Sequence, residues 1–120
     1  MSVSPSFRTF VLEQLGRGVQ GIRGKTMFGG VGIYAGELFF ALIAEDALYF
    51  KVDDSNRSDF EARGMSAFRP YREHDEVMSY YQVPGELLEE PEELGVWAEK
   101  AVEVARRSTA RASRPRGPRG

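Results

Sequence analysis

At 120 residues the chain suits one domain with a single core, and the absence of cysteine excludes disulfides, thiol nucleophiles and thiolate zinc sites. Six of its sixteen basic residues, Arg106, Arg107, Arg111, Arg114, Arg116 and Arg119, fall in the last fifteen positions with no acid among them. Residues 1–105 therefore hold ten basic and eighteen acidic groups, a net of −8 against +6 for the end. The start, MSVSPSFRTF, has neither the basic nor the apolar region of a secretory signal, and no apolar run approaches the about 18 residues of a membrane span. The expectation is a cytoplasmic protein with no membrane contact.

Phe7, Phe10, Val11 and Leu15 recur at helical spacing, so Ser4 to Leu15 is predicted as an amphipathic helix. Ser4 is its cap, Pro5 lies in its first turn, and Gly16 and Gly18 stop it. Gly21 to Val52 then predicts three antiparallel strands, roughly 24–35, 37–43 and 47–52. LFFALIA and ALYFKV are short runs of aromatic and branched residues, divided by reversals at Ala35-Gly36 and Glu45-Asp46. Within MFGGVGIY, the glycines at 29, 30 and 32 would weaken a regular strand and point to a bulge or a close backbone approach.

Asp53-Asp54-Ser55 offers N-caps for a short helix over roughly 55–63, and Gly64 ends it. AFRPY and VMSYYQV are predicted as two more strands, the first limited by Pro70, with a charged loop from Arg72 to Glu76 between them. Leu94, Trp97, Ala98, Ala101, Val104 and Ala105 mark one stripe of the longest helix, running to about Arg107. Glu92 and Glu93 in its first turn and Arg106 and Arg107 in its last suit its dipole. The Ser, Ala, Arg, Gly and Pro that follow cannot bury enough apolar surface to offset ordering, so residues 109–120 are expected to be a disordered tail after a domain of residues 1–108.

Candidate chemistry is sparse. His74, the only histidine, lies in REHDE without a companion nucleophile and is best taken as a solvated loop residue. GGVG lacks the strand-glycine-helix order of a phosphate loop. Asp53-Asp54, Glu89-Glu90 and Glu92-Glu93 sit at helix starts or connections, where acids cap amides. Tyr34, Phe39, Phe40, Tyr49, Phe50, Phe68, Tyr71, Tyr80 and Tyr81 would suit base stacking if exposed beside arginines on one sheet face. The acidic body argues instead for core or edge packing. No residue is assigned a catalytic, cofactor-binding or metal-ligating role. The arginines at 106, 107, 111, 114, 116 and 119 are the one candidate for weak, sequence-indifferent nucleic-acid contact.

MFGGVGIYAGELFFALIAEDALYFKVD, NRSDFEARGMSAFRPY and MSYYQVPGELLEEPEELGVWAEKAVEVAR together resemble the N-terminal domain of the TfoX (Sxy) competence regulators of bacteria, over roughly residues 7–107. The matching pieces are Met27-Phe28-Gly29-Gly30, Tyr49 with Lys51, Phe60 with Gly64, Met78-Ser79-Tyr80, and Pro84 before the acidic helix start. The resemblance implies a two-layer α+β domain, an antiparallel sheet of about five strands with helices on one side. It agrees with the predicted order α-β-β-β-α-β-β-α. In the full regulators a second, helical domain follows, linked to switching on DNA-uptake genes with a cyclic-AMP receptor protein; this chain is expected to be a standalone version lacking it. The family supplies no catalytic residues. The implied function is a non-enzymatic regulatory module, without cofactor, that contacts a protein partner or pairs as a homodimer through free strand edges. The alternative is a nucleic-acid accessory protein using the arginine tail, and the remotest is an enzyme or small-ligand binder using a pocket beside Lys51, Arg69 and His74.

Overall fold

The computed structural model describes residues 4–27, 29–68 and 79–113. Helix α1, Pro5–Gly16, begins as its sequence dictates: the Ser4 hydroxyl accepts from the Phe7 N–H at 3.3 Å, and the fixed φ of Pro5 suits the first turn. Its buried side is Val11, Gln14 and Leu15. The amide of Gln14 meets its burial cost by donating to the Leu88 carbonyl at 2.7 Å.

Five strands follow in a meander, β1 Ile22–Met27, β2 Gly30–Ala35, β3 Leu38–Ala44, β4 Ala47–Lys51 and β5 Tyr80–Gln82. Each neighbour is antiparallel and spatial order repeats chain order. The strand predicted over 24–35 is thus two strands, β1 ending at Met27 and β2 beginning at Gly30, the two residues opposite each other. The sheet's irregularity lies outside the glycines. Ile33 pairs with Ala41 but Tyr34 with Phe39, so Phe40 is the extra residue, and it and Ala41 both turn inward with no exposure. The glycines serve close approach and turning instead.

The strand predicted at AFRPY is, in the described residues, one bridge between Ala67 and Tyr81, flanked by Phe68 N–H to the Tyr80 carbonyl at 2.7 Å and Gln82 N–H to the Ser66 carbonyl at 3.1 Å. Pro70, having no N–H, cannot prolong such a ladder. Arg69 to Met78, which include the predicted loop, His74 and the start of VMSYYQV, lie outside the described residues. The observed order is therefore four strands, a helix and a fifth strand before the last helix, with the two-layer α+β class as expected.

Between β4 and β5, helix α2 spans only Arg57–Glu61. It starts late because the residues before it spend their polar groups on a turn. Asp53 accepts from the Ser55 N–H at 2.8 Å. Asn56, 1 % exposed, accepts from the Asp53 N–H at 2.9 Å and donates to the Lys51 carbonyl at 3.1 Å. A 3-10 turn, Gly85–Glu89, leads into helix α3, Pro91–Ser113.

Helix α3 lies on β3 and β4, with α1 beside it over β1. All six residues of its predicted stripe are buried, facing Val31, Ile33, Phe40, Ile43, Leu48 and Phe50 from the sheet. Burying each large side chain contributes about 1.5–3 kcal/mol, and the Phe40 and Phe50 rings add a tilted contact at 5.8 Å. The helix also continues past Arg107, where a disordered tail was predicted to begin. Ser108 to Ser113 contains two alanines and neither glycine nor proline, whereas Arg114 precedes Pro115 and is biased away from helix. Residues 114–120 are outside the described part. Among the described residues no helix is long and apolar enough to cross a membrane.

The Glu45-Asp46 reversal carries strain that the sequence did not relieve. Both residues have positive φ, 52° and 59°, the sense that a two-residue hairpin requires and that asparagine and glycine adopt at lower cost. Asp46 has a second duty, its carboxylate accepting from the Ser4 N–H at 2.8 Å. Glu45 has no hydrogen bond of this kind, so Glu45→Asn is expected to stabilise the fold by about 0.5–1 kcal/mol. Thermal melting checks this: a rise of a few degrees is expected, and an unchanged or lower Tm contradicts it.

Candidate interaction surface

Side chains alternate across a strand, so each aromatic doublet in this sheet sends one ring to each face. Phe40, Phe50 and Tyr81 go toward the helices, where Tyr81 meets Phe60 at 5.9 Å. Their neighbours Phe39, Tyr49 and Tyr80 go the other way, where none of the described helices packs. The pairings carry the same alternation through the sheet. Arg23 opposite Tyr34, Lys25 opposite Gly32, Leu42 opposite Tyr49 and Lys51 opposite Tyr80 all share this face, away from the described helices.

One residue from each strand meets the next in a row across this face. The Arg23 guanidinium lies over the Tyr34 ring at 4.8 Å, and Tyr34 stacks on Phe39 at 5.2 Å with 25° between planes. Phe39 meets Tyr80 at 5.9 Å, and the Lys51 ammonium sits over Tyr80 at 5.1 Å. The bulge makes the row possible, because it lets Phe39 face outward while Phe40 and Ala41 both face in. A second pair, Tyr49 and Phe68 at 4.7 Å, lies alongside. Tyr80 is buried within the row; Tyr34, Phe39, Tyr49, Phe68 and Lys51 are half-buried, and Arg23 and Lys25 are exposed.

The described strand positions of this face carry Arg23, Lys25 and Lys51. Glu37, in the turn between β2 and β3, pairs with Arg23 at 4.0 Å. Burial lowers the Lys51 pKa, an effect that nearby Asp53 opposes. Burial likewise pushes the Tyr80 phenol up to about 12, aided by Tyr34, so it stays a neutral hydrogen-bonding group at physiological pH. Arg23 is held in place by donating to the Gly36 carbonyl at 3.2 Å.

On the helical side cations are likewise matched by carboxylates. Lys100 meets Asp59 at 2.9 Å, and Arg63 meets Glu86 at 2.9 Å and Glu93 at 3.9 Å. Two of the six tail arginines belong to this pattern. Arg106 pairs with Glu103 one turn back at 2.9 Å. Arg107 reaches Asp53 at 3.3 Å and the Ser55 hydroxyl at 2.9 Å, tying α3 to the turn before α2. Although burial acts against it, hydrogen bonds from Ser55 and Arg107 hold the Asp53 carboxyl below the usual carboxylate range. Arg111 lies in the backbone of α3, and Arg114, Arg116 and Arg119 are outside the described residues. An open hollow of about 400 Å³, lined by Ser55, Glu99, Lys100, Glu103 and Arg107, adds no further chemistry because its cations are the paired ones. Of the supposed pocket residues, Lys51 is in the row, while Arg69 and His74 are outside the described part. Among the described residues no group of acids and histidines is placed to hold a metal.

The sequence reading put these aromatics among core and edge residues on the strength of overall charge. The doublets Phe39-Phe40, Tyr49-Phe50 and Tyr80-Tyr81 were the signal that a second aromatic face exists. Net charge hid it because charge says nothing of which face a ring occupies. Compared with known families, residues 13–105 match the model described as the TfoX N-terminal domain. No curated protein matches the chain.

Proposed function

Since the chain belongs to the TfoX N-terminal domain family, we propose that it is a regulatory module, of the transcription- or competence-linked kind, that acts by contact and not by catalysis. Its contact surface is the face of the sheet away from the described helices. The observation that carries this reading is the row from Arg23 to Lys51: aromatic and cationic side chains gathered on the one broad face over which no described helix packs. A face of this composition suits a macromolecular partner, with rings supplying area and cations supplying orientation. Self-association through the free edge of β1 is a further form of such contact. The arginine-rich end supports a second reading, nucleic-acid contact by charge. Arg106 and Arg107 are engaged within the chain, so Arg111, Arg114, Arg116 and Arg119 would carry it.

Photo-crosslinking tests the location of the contact whatever the partner's class. A photoreactive residue at position 25, on the sheet face, is compared with one at position 99, exposed on α3, in native lysate. Adducts of any class are expected from position 25. Adducts from position 99 alone would place the contact on the helical side and end this reading.

A further inference from the structure

We propose that the outer edge of β1 is a second contact site, where an extended acidic segment of a protein partner adds a strand to the sheet. The edge takes a strand whether or not the sheet face serves as a contact surface. Since spatial order repeats chain order, β1 is a margin of the sheet and pairs with β2 alone. Which of its main-chain groups point outward follows from one hydrogen bond. The Gly36 N–H donates to the Gly21 carbonyl at 2.9 Å, and these two residues flank the Ile22–Ala35 pair. That pair is therefore of the kind that exchanges no hydrogen bonds, and by alternation so are Gly24–Ile33 and Thr26–Val31. The N–H and C=O groups of Ile22, Gly24 and Thr26 thus face away from β2. Among the described residues only the Gly24 carbonyl has a partner there, the Arg8 guanidinium at 3.4 Å.

The undescribed residues 69–78 are anchored at the opposite margin, where the Phe68 N–H donates to the Tyr80 carbonyl of β5. Linking Phe68 to Ser79, they reach at most about 40 Å end to end. The outer side of β1 is roughly 24 Å across the sheet from β5 at about 4.8 Å per strand, so a loop out and back is too short. An unpaired edge calls for extended main chain, and the side chains around it choose which. Lys25 stands on one face of β1. On the other, where Gly24 lies against Leu12, Arg8 reaches from α1 to the Thr26 hydroxyl at 3.1 Å. Among the described residues neither of these two cations meets a carboxylate, whereas Arg23 is engaged by Glu37 at 4.0 Å. A strand with acids along it pairs with both, and because the Arg8 bond to Gly24 is long, turning to an incoming carboxylate gives up little. A second copy of β1 fits worse. Any two-fold antiparallel pairing of this strand with itself sets Arg23 or Lys25 opposite a like charge, which destabilises a cross-strand pair.

The test follows backbone amide exchange by NMR in the isotope-labelled full chain, alone and with an end-blocked peptide of about eight alternating glutamates and threonines. In the free chain the amides of Ile22, Gly24 and Thr26 should exchange fast and those of Arg23, Lys25 and Met27 slowly, and the peptide should slow the first three. The same peptide N-methylated at alternate residues, so that it has no donors toward β1, should not protect them. Lys25→Glu, at an exposed position, should keep its melting temperature, weaken the acidic peptide about fivefold or more and favour a lysine-threonine counterpart. Thr26→Pro removes one outward N–H without touching the ladder to β2 and should lower affinity about tenfold; if it melts early, Lys25→Glu still decides. Slow exchange at Ile22, Gly24 and Thr26 in the free monomer, no slowing by the acidic peptide, or equal slowing by the methylated one overturns the proposal. So does a dimer of the chain alone, seen in sedimentation, that protects the same amides, because a second copy then occupies the edge.

Discussion

Gly30→Ala is expected to cost about 3 kcal/mol or more and to leave little folded protein, whereas the neighbouring Gly29→Ala should cost only about 1–2 kcal/mol. The two glycines look alike in the sequence and differ in what constrains them. Gly29 turns the chain between β1 and β2 at φ 79°, and a side chain there would meet open space, so alanine incurs only the penalty of a left-handed backbone. Gly30 has no such φ, but a Cβ on it would lie 2.4 Å from the Ile43 carbonyl oxygen. That oxygen belongs to the backbone of β3, next to the Val31–Ile43 pair, and cannot swing aside as a flexible side chain would. The sheet itself must shift, at the Val31–Ile43 end of the β2–β3 pairing. Denaturant unfolding of both variants gives the comparison. Equal losses, or a larger loss at Gly29, would contradict the close-approach account.

Trp97→Ala should cost about 3–5 kcal/mol. Trp97 is 8 % exposed on α3, its ring edge-on to Phe60 at 4.8 Å and the Arg63 guanidinium over it at 5.6 Å. It joins three separate pieces, the long helix, the short α2 and the turn that carries Arg63, so its loss leaves a cavity that none of them can fill alone. The ion pairs around it, Arg63 to Glu86 and Glu93, are solvent-exposed and contribute at most about 1 kcal/mol each, too little to compensate. Cooperative melting with a Tm lowered by many degrees is the expected result. A loss below about 1 kcal/mol would contradict the placement of this ring in the core.

Where local pattern decides structure, the sequence was legible. The Ser4-Pro5 start of α1, the reversals at Gly36 and Glu45-Asp46, and the apolar stripe of α3 each follow from a few neighbouring residues, and each stands where it was expected. The doubling back between Met27 and Gly30 was missed because glycine at 29 marks a turn as readily as a weak strand. Likewise Phe40 gave no sign of being the bulged residue, since bulges depend on the partner strand. The end of α3 was set too early because arginine and alanine suit a helix as well as a solvated tail, and only Pro115 marks a stop. The proposed contact surface lay one step further off. Its aromatics were all noted, but which face each ring occupies, and that Arg23 and Lys51 join them there, depends on register.

The most direct measurement of the central claim is an amide chemical-shift titration of the isotope-labelled full chain with the partner that the photo-crosslink at position 25 captures. The account predicts shifts concentrated on β1 to β4 at Arg23, Lys25, Tyr34, Phe39 and Lys51, with the outer side of α3 around Val96 and Glu99 unmoved. Shifts confined to the C-terminal turn of α3, or none on the sheet, would contradict it.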